Sequence, residues 1–179
     1  MSKEVSEALL ARARRIRLLV LDCDGVLTDG RVILLPDGQE TKFFDVKDGH
    51  GIRLAKRAGL AIAVISGRAS FAVRERARDL EIDYLYESAW TKLGPYEELI
   101  SRTGLDDADV CYVGDDVTDL PLLRRTGLAV AVADAVREVR EQSHFVTARA
   151  GGRGAVREVV ELILKAQGKW DEVMRRYLD

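Results

Sequence analysis

Asp22-Cys23-Asp24-Gly25 sets two carboxylates two residues apart, directly after the apolar run Leu18–Leu21. Such a pair at the buried end of a strand is costly to desolvate unless a cation joins it. Taken alone, the segment reads equally well as a strand followed by a turn with Asp at its favoured positions. Three later fragments answer to it: Ser66, Lys92 and Gly114-Asp115-Asp116-Val117-Thr118-Asp119. Together they offer oxygen ligands for a hard cation, plus one hydroxyl and one amine for an anion. Mg²⁺ fits that set, because it takes one or two carboxylates and leaves its other positions to water and phosphate oxygens. His and Cys clusters with zinc spacing are absent, as are both glycine-rich nucleotide fingerprints.

These residues need elements that bring them together. Short apolar runs alternate with helical patterns along the chain. Strands are expected at 18–21, 60–65, 82–86, 109–113 and 128–132, with a last short one at 144–147. Helices are expected at 3–15, 52–58, 70–80, from Trp90 to about Thr103, from about Leu120, and at 135–142. The pattern predicts an α/β fold, a doubly wound parallel sheet with helices on both faces. In such a sheet, chemistry collects outside the carboxyl ends of the strands. Asp22 and Asp24, Ser66, and Asp115, Asp116 and Asp119 all fall at such ends, with Lys92 at the helix start just after its strand. Between the first strand and helix 52–58, two β-rich runs flank Pro36-Asp37-Gly38, the signal of a projecting hairpin over 30–46. Its run Val32–Leu35 is apolar enough to require cover, either from its own domain or from an oligomer.

At 179 residues the chain is read as one domain, 1–179. A net charge of −2 gives no global attraction to nucleic acid or to an anionic membrane. No signal-peptide pattern and no apolar run of spanning length is present, and Cys23 and Cys111 read as small buried residues. A cytoplasmic setting is expected.

Asp22-x-Asp24-Gly25-Val26, Ser66, Lys92 and Gly114-Asp115-Asp116-x-x-Asp119 resemble, in order, the four motifs of the haloacid dehalogenase superfamily. The likeness runs the whole chain through DGVLTDG, DVKDGHGIR, ISGR, VGDD, VAVADA and GGRGAVRE to its capless phosphatases of eight-carbon keto-deoxy sugar acid 8-phosphates. The resemblance implies Asp22 as nucleophile and Asp24 as general acid and base. It implies Mg²⁺ held by Asp22, Asp115 and the backbone carbonyl of Asp24. Ser66 and Lys92 would bind the phosphoryl oxygens, and Asp116 and Asp119 would orient the metal's waters and Lys92. Asp116 and Asp119 equally suit the first turn of a helix.

Neither interval between motifs leaves room for a cap domain, so the hairpin stands in its place. The resemblance implies a homotetramer in which a neighbour covers each site. A sugar acid phosphate carries a carboxylate too, so the mouth should offer cations: Lys47, Arg53, Arg68 and Arg76, the last two read as sharing one helix face. Family likeness adds Asp45, Val46, Asp48 and Gly49 to these contacts, beside Asp24 and Lys92. Asp48 reads equally as a helix cap, each basic residue as part of a solvated helix face, and His50 as a surface or packing histidine. Residues 148–154 read as a flexible hinge before helix 155–166, making 148–179 a mobile segment. By family analogy its Arg153 would be a mobile substrate contact.

Four other readings compete. Pattern alone does not separate the eight-carbon substrate from a nine-carbon keto-deoxy sugar acid 9-phosphate. A phosphotransferase or mutase would need a cap that excludes water, and a phospho-accepting receiver lacks the second Asp. A silent tetramerisation module is at odds with every catalytic position being filled.

Overall fold

The computed structural model describes residues 6–36, 38 and 40–178. Helix α1 (Glu7–Arg15) starts at Ser6, whose hydroxyl accepts the Leu9 N–H at 3.2 Å. The expected helix start at residues 3–5 and the turn residue Asp37 lie outside the described residues. Strand β1 (Leu18–Leu21) is fully buried, as a four-residue run of Leu and Val with no polar face must be. The hairpin is shorter than its sequence implies, pairing only β2 (Ile33–Leu34) with β3 (Glu40–Thr41).

Helix α2 (Val46–Arg57) begins six residues before the expected start and passes through Gly49 and Gly51. Both glycines mark close approaches. A Cβ on Gly49 would lie 2.1 Å from the Arg76 guanidinium, and one on Gly51 would lie 3.0 Å from the Arg157 backbone. Then follow β4 (Ala61–Ile65), α3 (Phe71–Asp79), β5 (Tyr84–Tyr86) and α4 (Leu93–Thr103). Strand β6 (Val110–Gly114) leads through a 3-10 turn at Val117–Asp119 into α5 (Leu120–Leu123). The chain finishes with β7 (Leu128–Ala131), α6 (Arg137–Glu141), β8 (Phe145–Val146), α7 (Ala155–Ala166) and α8 (Trp170–Arg175).

The sheet is parallel throughout, in the order β5-β4-β1-β6-β7-β8. The chain moves outward from β1 through β4 to β5, then returns to build β6, β7 and β8 on the other side. Right-handed crossovers therefore place α2 and α3 on one face and α4, α5 and α6 on the other. The reversal leaves a crevice beside β1, where this class of sheet places its ligands.

Helix α7 packs on α2 and α1. It buries Ala155, Val156, Val159, Val160, Ile163 and Leu164, a stripe at helical spacing. Each of its larger side chains contributes about 1.5–3 kcal/mol. The preceding loop is held rather than hinged. Gly151 N donates to Asp134 at 2.9 Å, Gly152 N to the Val26 carbonyl at 2.9 Å, and the Glu158 carboxylate takes the N–H groups of Ala148 and Arg149. A Cβ on Gly151 would lie 1.7 Å from the Gly25 carbonyl oxygen, so the glycines serve close packing. The arginines at the end of α1 are likewise spoken for, Arg12 by the Gly127 carbonyl, Arg14 by Glu7 and Arg15 by Asp109.

Candidate active site

Register fixes the centre. Leu21 pairs with Val64 on one side and Val113 on the other, so Asp22 leaves the sheet level with the ends of β4 and β6. Its N–H still donates to Val113 at 3.0 Å. The Cys23 N–H then donates to Asp22 Oδ1 at 2.7 Å, and the N–H groups of Val26, Leu27 and Thr28 converge on the Cys23 carbonyl. Gly25 turns the loop at φ +86°. An added Cβ there would lie 2.0 Å from Asp115 Oδ2, so only glycine admits the second acid.

Lys92 enters from the start of α4, nearly sealed from solvent. Its Nζ lies 2.9 Å from Asp22 Oδ2, 2.5 Å from Asp119 Oδ1 and 3.2 Å from the Tyr112 hydroxyl. That hydroxyl donates in turn to Asp119 Oδ1 at 2.6 Å. Asp119 Oδ2 accepts the N–H groups of Asp115 and Asp116 at 2.8 and 3.2 Å. Both Asp119 oxygens are thereby committed. Asp116 caps the 3-10 turn, accepting the Val117 N–H at 2.7 Å.

Asp22, Asp115 and Asp119 can bring carboxylate oxygens within 4.8 Å of one another. Burial, then the Asp119 charge, pushes the Asp22 carboxyl up to about 6 against the pull of Lys92. Burial, then Asp22 and Asp119, pushes Asp115 up to about 8. Burial alone would depress the Lys92 ammonium, but Asp22 and Asp119 hold it above its ordinary value. Asp115 Oδ1 is buried with no hydrogen-bond partner. An orphaned carboxylate oxygen beside a second acid, in a pocket short of positive charge, fits a hard divalent cation. Asp22 and Asp115 would hold it; Asp119, with its oxygens committed, would not.

The cleft over this cluster encloses about 320 Å³ and is lined by Asp22, Asp24, Gly67, Lys92, Asp115 and Thr118 among others, with exposed Trp90 at its edge. Ser66 is buried at the end of β4, where its hydroxyl donates to the Arg68 carbonyl at 3.0 Å and accepts the Arg68 N–H. It shapes the loop that presents Gly67 and Arg68 to the cleft.

The sequence-predicted substrate residues divide into separate groups. Asp24, Arg68 and Lys92 share the cleft with Asp22. Arg68 lies in the loop before α3, so it does not share a helix face with Arg76. Asp45, Val46, Lys47 and Arg153 line a second hollow, where Asp45 caps α2 through the Lys47 N–H and Arg153 pairs with Asp29. Gly49, His50, Arg53 and Arg76 line a third hollow, and both arginines pair with Asp79 at 2.8 Å. His50 stands edge-on to Tyr177 at 5.4 Å. Burial, then Arg157, Arg57 and Arg53, lowers its affinity for a proton. Asp48 is buried, and its carboxylate accepts the N–H groups of Gly154 and Arg157 at 3.0 and 2.8 Å. It ties α2 to the start of α7 and offers no free oxygen to this chain's cleft.

Two site residues escape a sequence reading. Tyr112 lies inside an apolar strand and reads as core. Lys42 lies beside Glu40 in a polar run and reads as surface, yet its side chain is 1% exposed and its Nζ pairs with Asp24 Oδ1 and, at 2.6 Å, with Glu40.

A family model described as haloacid dehalogenase-like hydrolase matches residues 84–159. The chain is 45% identical over 168 residues to the 3-deoxy-D-manno-octulosonate 8-phosphate phosphatase KdsC of Escherichia coli K12, covering 94% of this chain and 89% of that one. It is similar in structure to a probable YrbI family phosphatase from Pseudomonas syringae pv. phaseolica 1448a, at 44% identity and a TM-score of 0.95, over 97% of this chain and 99% of the other. It is also similar to the Moraxella catarrhalis 3-deoxy-D-manno-octulosonate 8-phosphate phosphatase, crystallised with magnesium, phosphate and KDO. That match has 36% identity and a TM-score of 0.94, over 97% of this chain and 99% of the other.

Proposed function

The chain belongs to the 3-deoxy-D-manno-octulosonate 8-phosphate phosphatases, a family of haloacid dehalogenase-like hydrolases, and we propose that its own Asp22 cluster hydrolyses that ester to the free sugar acid and phosphate. The observation that carries the reading is Lys92 Nζ between Asp22 Oδ2 and Asp119 Oδ1, in a cleft also lined by Asp115, one of whose oxygens has no partner. The free sugar acid is a precursor of lipopolysaccharide.

An Asp22 oxygen attacks phosphorus, the bond from phosphorus to the sugar oxygen breaks, and an aspartyl-phosphate forms on Asp22. Asp24 gives its proton to the departing sugar oxygen. Asp24 then takes a proton from a water, which attacks phosphorus and frees Asp22 and inorganic phosphate. Lys92 offsets charge on the phosphoryl oxygens, while Asp119 and Tyr112 hold its ammonium in place. The loop shaped by Ser66 presents Gly67 and Arg68 to the same cleft. Mg²⁺, held by Asp22, Asp115 and the Asp24 backbone carbonyl, would supply charge neutralisation at the phosphoryl group.

The reading extends to assembly. Leu34, Phe43, Val46 and Phe71 are each more than two-thirds exposed on or near the hairpin. This apolar surface supports a homotetramer in which a neighbour's 45–49 segment, Arg53 and Arg76 complete the mouth of the cleft. The setting is cytoplasmic, which suits the two buried free thiols, Cys23 and Cys111. Among the described residues no helix is long and apolar enough to cross a membrane.

The test is phosphate release from the eight-carbon ester, a nine-carbon keto-deoxy sugar acid 9-phosphate and an aryl phosphate, each with Mg²⁺ and with chelator, beside Asp22→Asn. Preference for the eight-carbon ester, lost with chelator and in the variant, is the expected result. Equal turnover of all three removes the substrate assignment, and metal-independent release removes the mechanism.

A further inference from the structure

The hairpin contributes a charge to the catalytic centre of its own chain. Glu40 opens β3 and Lys42 follows its last residue, so the two side chains, two residues apart, point to the same side and pair with groups of the domain body. Lys42 Nζ pairs with Asp24 Oδ1 and with Glu40 Oε1, and Glu40 Oε2 pairs with Arg68 at 2.9 Å. Asp24, Lys42, Glu40 and Arg68 thus form a run of alternating charge linking the nucleophile loop, the hairpin and the loop after β4. A buried ammonium is held only where carboxylates receive it, so this run fixes where the hairpin lies. It also fixes Asp24. Among the described residues no donor reaches its other oxygen, Oδ2, and Asp24 lines the cleft that contains Asp22 and Lys92.

We propose that Lys42 is a positioning residue of the reaction: by gripping Asp24 Oδ1 it turns the carboxyl so that Oδ2 meets the departing oxygen of the ester. This rests on the assignment of Asp24 as the acid in the proposed function. A sugar alkoxide leaves poorly and needs that proton; p-nitrophenolate leaves without one. A misplaced Asp24 therefore slows phosphoryl transfer from an alkyl ester and spares the aryl ester, whereas a loosened hairpin harms both.

The experiment compares kcat/KM, which covers only the steps through departure of the leaving group, for the eight-carbon ester and for p-nitrophenyl phosphate with Mg²⁺. Lys42→Met is expected to lose about 10²-fold on the sugar ester, the lower end of what general acids supply. On the aryl ester the loss should stay within about threefold. Lys42→Arg, which keeps the charge, recovers most of the loss. Should Lys42→Met fail to fold, Glu40→Gln, which loosens the grip on Lys42, must show the same selectivity in smaller degree. Equal losses on both esters, or no loss on either, would overturn the proposal. If the wild type turns over the aryl ester but not the sugar acid ester, the substrate assignment has failed instead. Glycerol 1-phosphate then serves as the alkyl ester in the same comparison.

Discussion

Lys92 and Asp119 form an ion pair of 2.5 Å with side chains 3% and 0% exposed, and Tyr112 closes it by accepting from one and donating to the other. Removing one member of a buried pair leaves an uncompensated charge, at a cost of about 3–5 kcal/mol. Asp119→Ala also frees the N–H groups of Asp115 and Asp116, so it should lower both the melting temperature and Mg²⁺ affinity. Tyr112→Phe removes only hydrogen bonds, costing about 1–3 kcal/mol. It should keep the fold and the metal while kcat falls roughly tenfold, in line with about 1.4 kcal/mol of transition-state stabilisation. Calorimetry and steady-state kinetics on the two variants check this; unchanged kcat in Tyr112→Phe would contradict it.

Gly25→Ala tests the collision with Asp115. The substitution carries a backbone penalty of about 1–2 kcal/mol at positive φ. Gly59→Ala, at φ +85° with nothing within 4 Å, carries the same penalty without a collision. Titration calorimetry should find Mg²⁺ binding lost in the first and retained in the second. Equal binding in both would mean that Asp115 moves aside without consequence.

Asp115 and Asp22 hold protons more tightly when folded than their ordinary value of 3.8. Between about pH 4 and 8 the metal-free folded state therefore binds more protons than the unfolded state, and these two groups make stability fall as pH rises. His50 and His144, both lowered by burial, act in the opposite direction near neutrality, so the useful quantity is a difference between proteins. In chelator, Asp115→Asn should melt above the wild type at pH 8, with the gain shrinking as pH falls and gone near pH 4. Mg²⁺ should raise the wild type and leave the variant unmoved. A gain independent of pH would show that the carboxylate charge is not its source.

Phe43→Glu places a charge on the exposed apolar surface beside the hairpin, one residue after the buried Lys42. Sedimentation should show dissociation to smaller species. Turnover of the sugar acid ester should fall more than turnover of an aryl phosphate, because cations from a neighbour would be lost with the contact. An unchanged assembly would remove this surface from the interface.

Much of this architecture can be read along the chain because its central strands carry no polar alternation. Leu18–Leu21 and Ala61–Ile65 can only be interior parallel strands, and helix 155–166 falls where its apolar stripe puts it. Asp22, Asp24, Lys92 and Asp115 are legible as a set, because their fragments fall in order at the ends of such strands; singly, the Asp22–Gly25 segment reads equally well as a turn. What sequence hides is pairing across distance. Asp48 looks like a binding-loop acid until α7 arrives to claim both its oxygens. Lys42 looks solvated until the fold brings it against Asp24, and Tyr112 looks like core because its ring is core and only its hydroxyl meets Lys92. The glycines of α2 mislead for a related reason: low helix propensity is overridden by neighbours that leave no room for a Cβ.

Strand β1 lies between two partners that do not yet exist when it leaves the ribosome. It pairs with β4 about forty residues later and with β6 about ninety residues later, and the Gly151 backbone then closes over Gly25. Contacts of that separation form slowly and late. Asp22 is thus among the first groups synthesised and among the last to gain its surroundings. A chain interrupted before β6 is therefore expected to leave one edge of the apolar strand Leu18–Leu21 without its partner.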